Sequence, residues 1–84
     1  MTDYQVVLGT SIHRRSSDAP LKMRGLNCYY GSALTPEAAL AVVLKKKRYG
    51  TVAEVWAVHD DDGREHLIHC GSFRKMVDGR FQPV

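Results

Sequence analysis

The chain has 84 residues, which is the length of a single domain with a thin hydrophobic core and little room for a large buried cofactor. Hydrophobic residues make up 44% and charged residues 25%, as in ordinary globular domains, so we predict one domain over residues 1–84. The net charge of +3 is a mild basic bias, which permits an acidic protein surface or nucleic acid as partner but requires neither.

Compartment and redox state are predicted from equally simple features. No apolar run approaches the roughly 18 residues of a membrane-spanning helix, and residues 1–4 lack the pattern of a secretory signal. We therefore expect a cytoplasmic protein with no membrane partner. Cys28 and Cys70 each lie in an apolar, strand-like run, where a free thiol acts as a small core side chain, so no disulfide is predicted.

The first third of the chain predicts two strands joined by a polar loop. Residues 4–12 alternate between apolar and polar positions, which indicates a strand with one buried face and one exposed face. Residues 13–20 are polar, have no period and end in a proline, so we expect a mobile loop. Residues 21–30 predict a second strand, which Gly31 and Ser32 are expected to end.

A helix is predicted from Thr35 to Tyr49. Thr35 is a favourable N-cap, Pro36 suits the first helical position, and Glu37 complements the positive end of the helix dipole. Gly50 is expected just past the helix, where a left-handed backbone conformation is common.

The remaining residues predict two or three further strands. Residues 51–59 are apolar on both faces, as in a central strand, and Asp60-Asp61-Asp62-Gly63 predicts a hairpin turn into a strand over 64–70. Gly71 and Ser72 are expected to bend the chain, and a short hairpin or edge strand is expected to follow.

The element order ββαββ(β) predicts an α+β fold, a single antiparallel sheet of four to five strands with one α-helix packed on one face. We expect the helix to cover six side chains: Tyr4, Val6, Leu8, Leu26, Cys28 and Trp56. The sheet has no evident blocking device on every edge, so a homodimer through an edge strand is an open alternative to a monomer.

Basic residues form the main candidate binding surface. Four consecutive cations close the predicted helix, two lie in the polar loop and two near the last bend: Lys45, Lys46, Lys47, Arg48, Arg14, Arg15, Arg74 and Lys75. Together they could neutralise phosphates or carboxylates of a partner. The alternative is an ordinary solvated surface in which the lysines complement the helix dipole.

Two adjacent tyrosines are the second candidate. Tyr29 and Tyr30 point to opposite faces of their predicted strand, so one of them could stack on a base or anchor a protein interface. The alternative is packing against a neighbouring strand.

Catalytic and metal chemistry are not predicted. Zinc spacings such as C-x-x-C are absent, His66 and His69 fall on opposite faces of a strand, and the glycines form no phosphate-binding loop. We expect no metal, no cofactor and no enzymatic activity, because a chain of this size has little mass with which to form a pocket.

The second half of the chain resembles the small phage-encoded inhibitor proteins, anti-CRISPR proteins among them. The resemblance covers residues 35–82: a capped helix from Thr35-Pro36-Glu37 to Arg48, a strand opened by Gly50-Thr51-Val52, an Asp-Gly hairpin and a terminal strand. It implies a non-enzymatic inhibitor that blocks a host nucleic-acid-processing protein or ribonucleoprotein complex in the bacterial cytoplasm. The alternative from the residues themselves is a small module that binds DNA or RNA directly through the basic helix end and a tyrosine.

Overall fold

The computed structural model describes residues 1–10, 27–47 and 50–84, which form five strands and one helix. The elements in chain order are β1 (Thr2–Gly9), β2 (Asn27–Ala33), α1 (Pro36–Lys46), β3 (Val52–Asp61), β4 (Arg64–Lys75) and β5 (Phe81–Pro83). The loop predicted at residues 13–20 and the first half of the predicted second strand lie outside the described residues.

All five strands belong to one open antiparallel sheet in the order β2-β1-β3-β4-β5. The α+β class and the sheet of up to five strands with one helix are therefore confirmed. Val6 in the middle of β1 stands opposite Tyr29 of β2 on one side and Val55 of β3 on the other. The β3–β4 hairpin extends past the end of β1, which pairs with β3 only as far as Ala57.

The main core lies between the sheet and α1, which packs over β2, β1 and β3. Leu8, Val6 and Val55 are fully buried there, because valine and leucine fill the space above a pleated surface without polar atoms. The full cluster is Tyr4, Val6, Leu8, Ala33, Ala39, Leu40, Val43, Ala53, Val55 and Phe73. The prediction that the helix covers the first-strand residues Tyr4, Val6 and Leu8 is thus confirmed.

Two residues expected beneath the helix lie on the opposite face. Trp56 stands opposite Gln5 rather than Val6, so its indole points away from α1, and Ala53 and Val55 occupy the helix side of β3. The small side chains let the helix approach the sheet closely, which an indole would prevent. Cys28 also lies on the opposite face, where its thiol is exposed. Leu26 lies outside the described residues.

The face opposite α1 is more buried than the alternation of apolar and polar residues in β1 predicts. Its polar positions were expected to be exposed, yet Gln5 and its neighbour Val7 are buried. Val52, Glu54 and Trp56 of β3 are buried on the same face. The sheet therefore has two sets of buried side chains, one on each face.

The predicted helix starts where the sequence indicates and ends earlier. The Thr35 hydroxyl accepts a hydrogen bond from the Ala38 amide at 3.1 Å, which confirms the N-cap. The helix ends at Lys46, three residues before the predicted end at Tyr49, and Lys47 caps it in an extended conformation.

Two strand ends also differ from prediction. Gly31 and Ser32 do not stop β2, which continues to Ala33. β4 is one strand of 12 residues that runs through the expected bend at Gly71, because a bulge shifts the register between Val55 and Trp56 of the paired strand. The bulge absorbs the extra residue, so the ladder continues without a break.

Candidate binding groove

A groove of about 560 Å³ lies beside the helix, on the same face of the sheet. α1 covers β2, β1 and β3, so the helix side of β4 and β5 is left open and the groove forms between α1 and that edge. We call it the cationic groove and define it by its lining: Glu37, Leu40, Ala41, Leu44, Gly50, Phe73, Lys75, Gly79, Arg80, Phe81, Gln82 and Pro83.

The floor of the cationic groove is apolar. Phe73 is part of the buried core, and Phe81 packs against that core while remaining partly exposed. Leu40 and Leu44, four residues apart on α1, form the opposite wall, because side chains at this spacing share one side of a helix. A partner side chain placed between them would contact hydrocarbon on both sides.

Two cations stand on the strand side of the groove, Lys75 and Arg80. Lys75 follows Phe73 by two residues on β4, so both project to the helix face. The Lys75 amide donates a hydrogen bond to the Thr51 carbonyl at 2.7 Å, which connects the end of β4 to the start of β3. The strand that forms the apolar floor therefore also positions the lysine.

The turn between β4 and β5 is held by its own hydrogen bonds. The Met76 amide donates to the Arg80 carbonyl at 2.7 Å, and the Gly79 amide donates to the Met76 carbonyl at 2.9 Å. The Asp78 carboxylate accepts from the Arg80 amide at 2.9 Å, and Gly79 supplies the positive φ of 87° that the turn needs. Arg80 is thus carried on an ordered backbone.

The cations of the helix end lie at the same end of the sheet. α1 leads through Gly50 and Thr51 into the start of β3, which pairs with the end of β4. We call this region the cationic end and define it by its exposed residues: Lys45, Lys46, Lys47, Arg74, Lys75 and Arg80. Within the described parts of the chain, none of these six makes an ion pair, so their charges are available to a partner.

Acidic residues occupy the opposite end of the sheet. Asp60, Asp61 and Asp62 form the tip of the β3–β4 hairpin, and Glu65 pairs with Asp60 on the returning strand. The 10 residues of β3 between the two ends span roughly 33 Å, several times the Debye length of about 8 Å at physiological salt. The two charged ends therefore act as separate surfaces.

The predicted basic groups meet only in part. The helix-end lysines and Lys75 share the cationic end on the helix side, whereas Arg74 pairs with Gln82 and Val52 on the opposite face. Arg14, Arg15 and Arg48 lie outside the described residues.

The two predicted tyrosines separate as expected, one to each face. Tyr29 is half-buried against the main core, and Tyr30 is 69% exposed on the face opposite the helix. The Gln5 amide donates to the Tyr30 hydroxyl at 3.2 Å and also to the Cys28 thiol. The negative charge that Cys28 carries when ionised raises the pKa of Tyr30, and partial desolvation adds to the effect. Tyr30 does not share a surface with the cationic groove.

A polar cluster that the sequence does not reveal lies on the same opposite face. Both oxygens of the buried Glu54 carboxylate lie 2.8 Å from the Ser72 hydroxyl, which shares its one proton between them, and the carboxylate also contacts the Nε2 atom of His69. The Trp56 ring meets His69 edge-on, with centroids 4.9 Å apart. The cluster explains why a glutamate is tolerated in a central strand, since its carboxylate oxygens are hydrogen-bonded.

This cluster differs from a serine–histidine–carboxylate relay. Such a relay uses one ring nitrogen for the serine and the other for the carboxylate. Here the Ser72 hydroxyl, 3.2 Å away, and Glu54 both approach the same Nε2 atom of His69. The geometry is that of a structural contact between a buried carboxylate and an exposed imidazole.

The remaining cysteines and histidines form no metal site within the described residues. Cys28 and Cys70 are both free and exposed, so the expectation of unpaired thiols agrees with the structure and the expectation that they fill the core is wrong. His59 stands opposite His66 across the hairpin, and His69 stands opposite Trp56. His66 and His69 therefore lie on opposite faces, as predicted.

Sequence reasoning misses Arg80 and the whole floor of the cationic groove. Phe73 and Phe81 are strand residues that look like ordinary core positions. Their role in the groove depends on how far the helix extends across the sheet, which no local pattern records. The only local signal is the alternation Phe73-Arg74-Lys75, which places an aromatic residue and a cation on one face.

No family model, curated protein or solved structure matches the chain. Among the described residues, no helix is long and apolar enough to cross a membrane.

Proposed function

We propose that this protein is a non-enzymatic binding protein whose cationic groove and cationic end dock onto an acidic protein surface. The observation that supports the proposal is an apolar floor flanked by Lys75 and Arg80, which make no ion pair within the described residues. An apolar centre with a charged rim is the usual anatomy of a protein–protein interface.

A protein partner is favoured over nucleic acid by the position of the aromatic residues. Single-stranded nucleic acid binds where exposed rings lie among cations. Tyr30, the exposed tyrosine, lies on the face opposite α1, and the rings beside the cations are Phe73 and Phe81, of which Phe73 is buried. The groove accepts inserted apolar side chains better than stacked bases.

The resemblance to phage-encoded inhibitors suggests a more specific proposal, in which the partner and the effect of binding are named. In that form the partner is a host nucleic-acid-processing complex, and the bound protein blocks its acidic contact surface. A small domain can inhibit in this way without catalysis, because occupation of the surface is sufficient. The sign of the groove charge favours a partner patch rich in aspartate and glutamate.

The direct test is an interference assay in bacteria that carry one active CRISPR system each, across a panel of system types. The expected result is loss of interference with one type, and recovery of interference with Lys75→Glu. Arg64→Glu is the matched control, because Arg64 begins and Lys75 ends the same strand and both substitutions change the net charge equally. Lys75→Glu should weaken inhibition by about tenfold, because the charge at this position on the rim of the groove changes from positive to negative.

Any other result would contradict either the inhibitor function or the role of the cationic groove as the binding site. Full interference in every strain removes the inhibitor proposal. Inhibition that Lys75→Glu leaves intact moves the site away from the groove. Binding of the purified protein to a short duplex or single strand, with affinity that falls steeply with salt, would instead favour the nucleic-acid module.

A further inference from the structure

We propose that the outer edge of β2 pairs antiparallel with β2 of a second copy, which makes a two-fold symmetric dimer with a continuous ten-stranded sheet. In the described parts of the chain, β2 is an edge strand whose one hydrogen-bonded neighbour is β1. At seven residues it is long enough for a stable pairing, whereas the other edge, β5, has three residues.

The backbone of β2 supplies the recognition chemistry. In an antiparallel ladder the N–H and C=O groups of alternate residues point to the same side of a strand. About half of the residues of β2 therefore direct both groups away from β1, towards the open side. An extended strand of matching length can accept and donate all of these hydrogen bonds.

The composition of β2 favours a second copy as that strand. Its sequence, Asn-Cys-Tyr-Tyr-Gly-Ser-Ala, has no charged residue and no proline, the devices that normally protect an edge. Two copies side by side would bring no like charges together. The β5 edge differs, because it has three residues and one of them, Pro83, has no N–H group to donate to a partner strand.

Exposed apolar side chains flank the β2 edge on both faces of the sheet. Glu37, Ala41 and Leu44 turn one side of α1 towards the cationic groove, so Val42 lies on the other side, towards β2. Val42 is 44% exposed, and Leu34, directly after β2, is 78% exposed. Tyr30 is exposed on the face opposite the helix. Pairing of two full-length edges would bring Tyr30, in the middle of β2, next to its counterpart, and both Val42 residues onto the same face of the joined sheet, whereas the two Leu34 residues would lie at opposite ends of the ladder.

Antiparallel pairing of identical edges places the two-fold axis perpendicular to the sheet, so both helices lie on the same face. The two cationic grooves then lie at the outer edges of the ten-stranded sheet. Nine strand spacings of about 4.8 Å put the two β5 strands roughly 43 Å apart. The dimer does not depend on the ligand of the groove, and it leaves both grooves open.

The test measures molar mass by light scattering and follows amide chemical shifts over a hundredfold dilution. We expect a mass of twice 9.4 kDa that falls towards 9.4 kDa on dilution, with shift changes along β2 and around Val42. A constant monomer mass over the whole range would overturn the proposal. A dimer whose dilution shifts fall on Phe81–Pro83 would overturn it as well.

A pair of variants separates the edge from general hydrophobic association. Val42→Lys with Tyr30→Lys should weaken the dimer by at least about tenfold, because Tyr30 lies at the middle of β2 and the two new cations there would stand next to each other at the two-fold axis. Met76→Lys with Val77→Lys is the matched control, since these exposed apolar residues lie near β5. Both variants should keep the amide spectrum of the folded protein. Equal weakening by the two pairs would contradict pairing at β2.

Discussion

Gly50 connects the helix to β3 where the chain passes closest to the end of β1. Its φ is 75°, and the amide of the next residue, Thr51, donates to the Gly9 carbonyl at 2.9 Å. A Cβ atom at position 50 would lie 2.6 Å from the Gly9 carbonyl carbon, in addition to the cost of a left-handed conformation. The position therefore combines two reasons for glycine.

Gly50→Ala should lower the free energy of unfolding by about 3 kcal/mol, roughly 1 kcal/mol from the positive φ and the rest from the displaced backbone. Gly63→Ala is the matched control, because its φ is 81° and no atom lies within 4 Å of the added Cβ. That variant should lose only about 1 kcal/mol. Urea denaturation of both variants measures the difference, and equal losses would show that the approach to Gly9 is unimportant.

The same residue shows what sequence can predict at this scale. A glycine after a lysine-rich helix end predicts a left-handed residue, and the structure agrees. The contact with Gly9 could not be predicted, because it joins two positions 41 residues apart through the pairing of β1 with β3.

At the scale of elements, α1 depends on its first turn. The helix has 11 residues, which is too short to be stable alone in water, so its start must be fixed by the cap and by packing. The Thr35 hydroxyl accepts a hydrogen bond from the Ala38 amide, and Pro36 has no N–H group that would need an acceptor. Because α1 also forms one wall of the cationic groove, fraying of this turn would displace Glu37 at the end of that wall.

Thr35→Ala should lower the free energy of unfolding by about 1 kcal/mol, since the side-chain acceptor is lost. Thr35→Ser keeps the hydroxyl and should retain most of the stability. Guanidinium denaturation followed by circular dichroism measures both. A serine variant as unstable as the alanine variant would mean that the threonine methyl group, and not the cap, is responsible.

Element types were more predictable than the faces they present. The cap and the Asp-Gly turn are local signals, and both are found at the predicted positions. The predicted orientation of Trp56 is wrong, because a strand that is apolar on both sides carries no alternation to show which face meets the helix. The predicted bend at Gly71 is wrong for a related reason, since the pairing with β3 continues through a bulge that the sequence around Gly71 does not show.

At the scale of the whole molecule, charge is separated along the strands of the sheet. The six cations of the cationic end stand where β3 starts and β4 ends, and the aspartates stand at the tip of the β3–β4 hairpin. This separation can be predicted from the sequence, because the lysines precede the strand that became β3 and the aspartates follow it. A net charge of +3 therefore understates the local potential at the groove.

This separation predicts that binding to a polyanion follows local charge and not net charge. Heparin is a suitable probe, because it reports cationic surfaces without requiring the natural partner. Lys75→Glu should weaken heparin binding by about tenfold, as two charge units change at the groove. Arg64→Glu, with the same change in net charge at the acidic end, should bind like the wild type.

Asp61→Lys adds two positive units at the hairpin tip and completes the comparison. Because the tip lies far beyond a Debye length from the groove, heparin affinity should change by less than about twofold at physiological salt. Isothermal titration calorimetry of the three variants and the wild type measures their heparin affinities. If affinity instead tracks net charge, Asp61→Lys will bind more tightly than the wild type and Arg64→Glu as weakly as Lys75→Glu. That result would mean that heparin senses the whole molecule, and that the cationic groove is no more than part of a solvated surface.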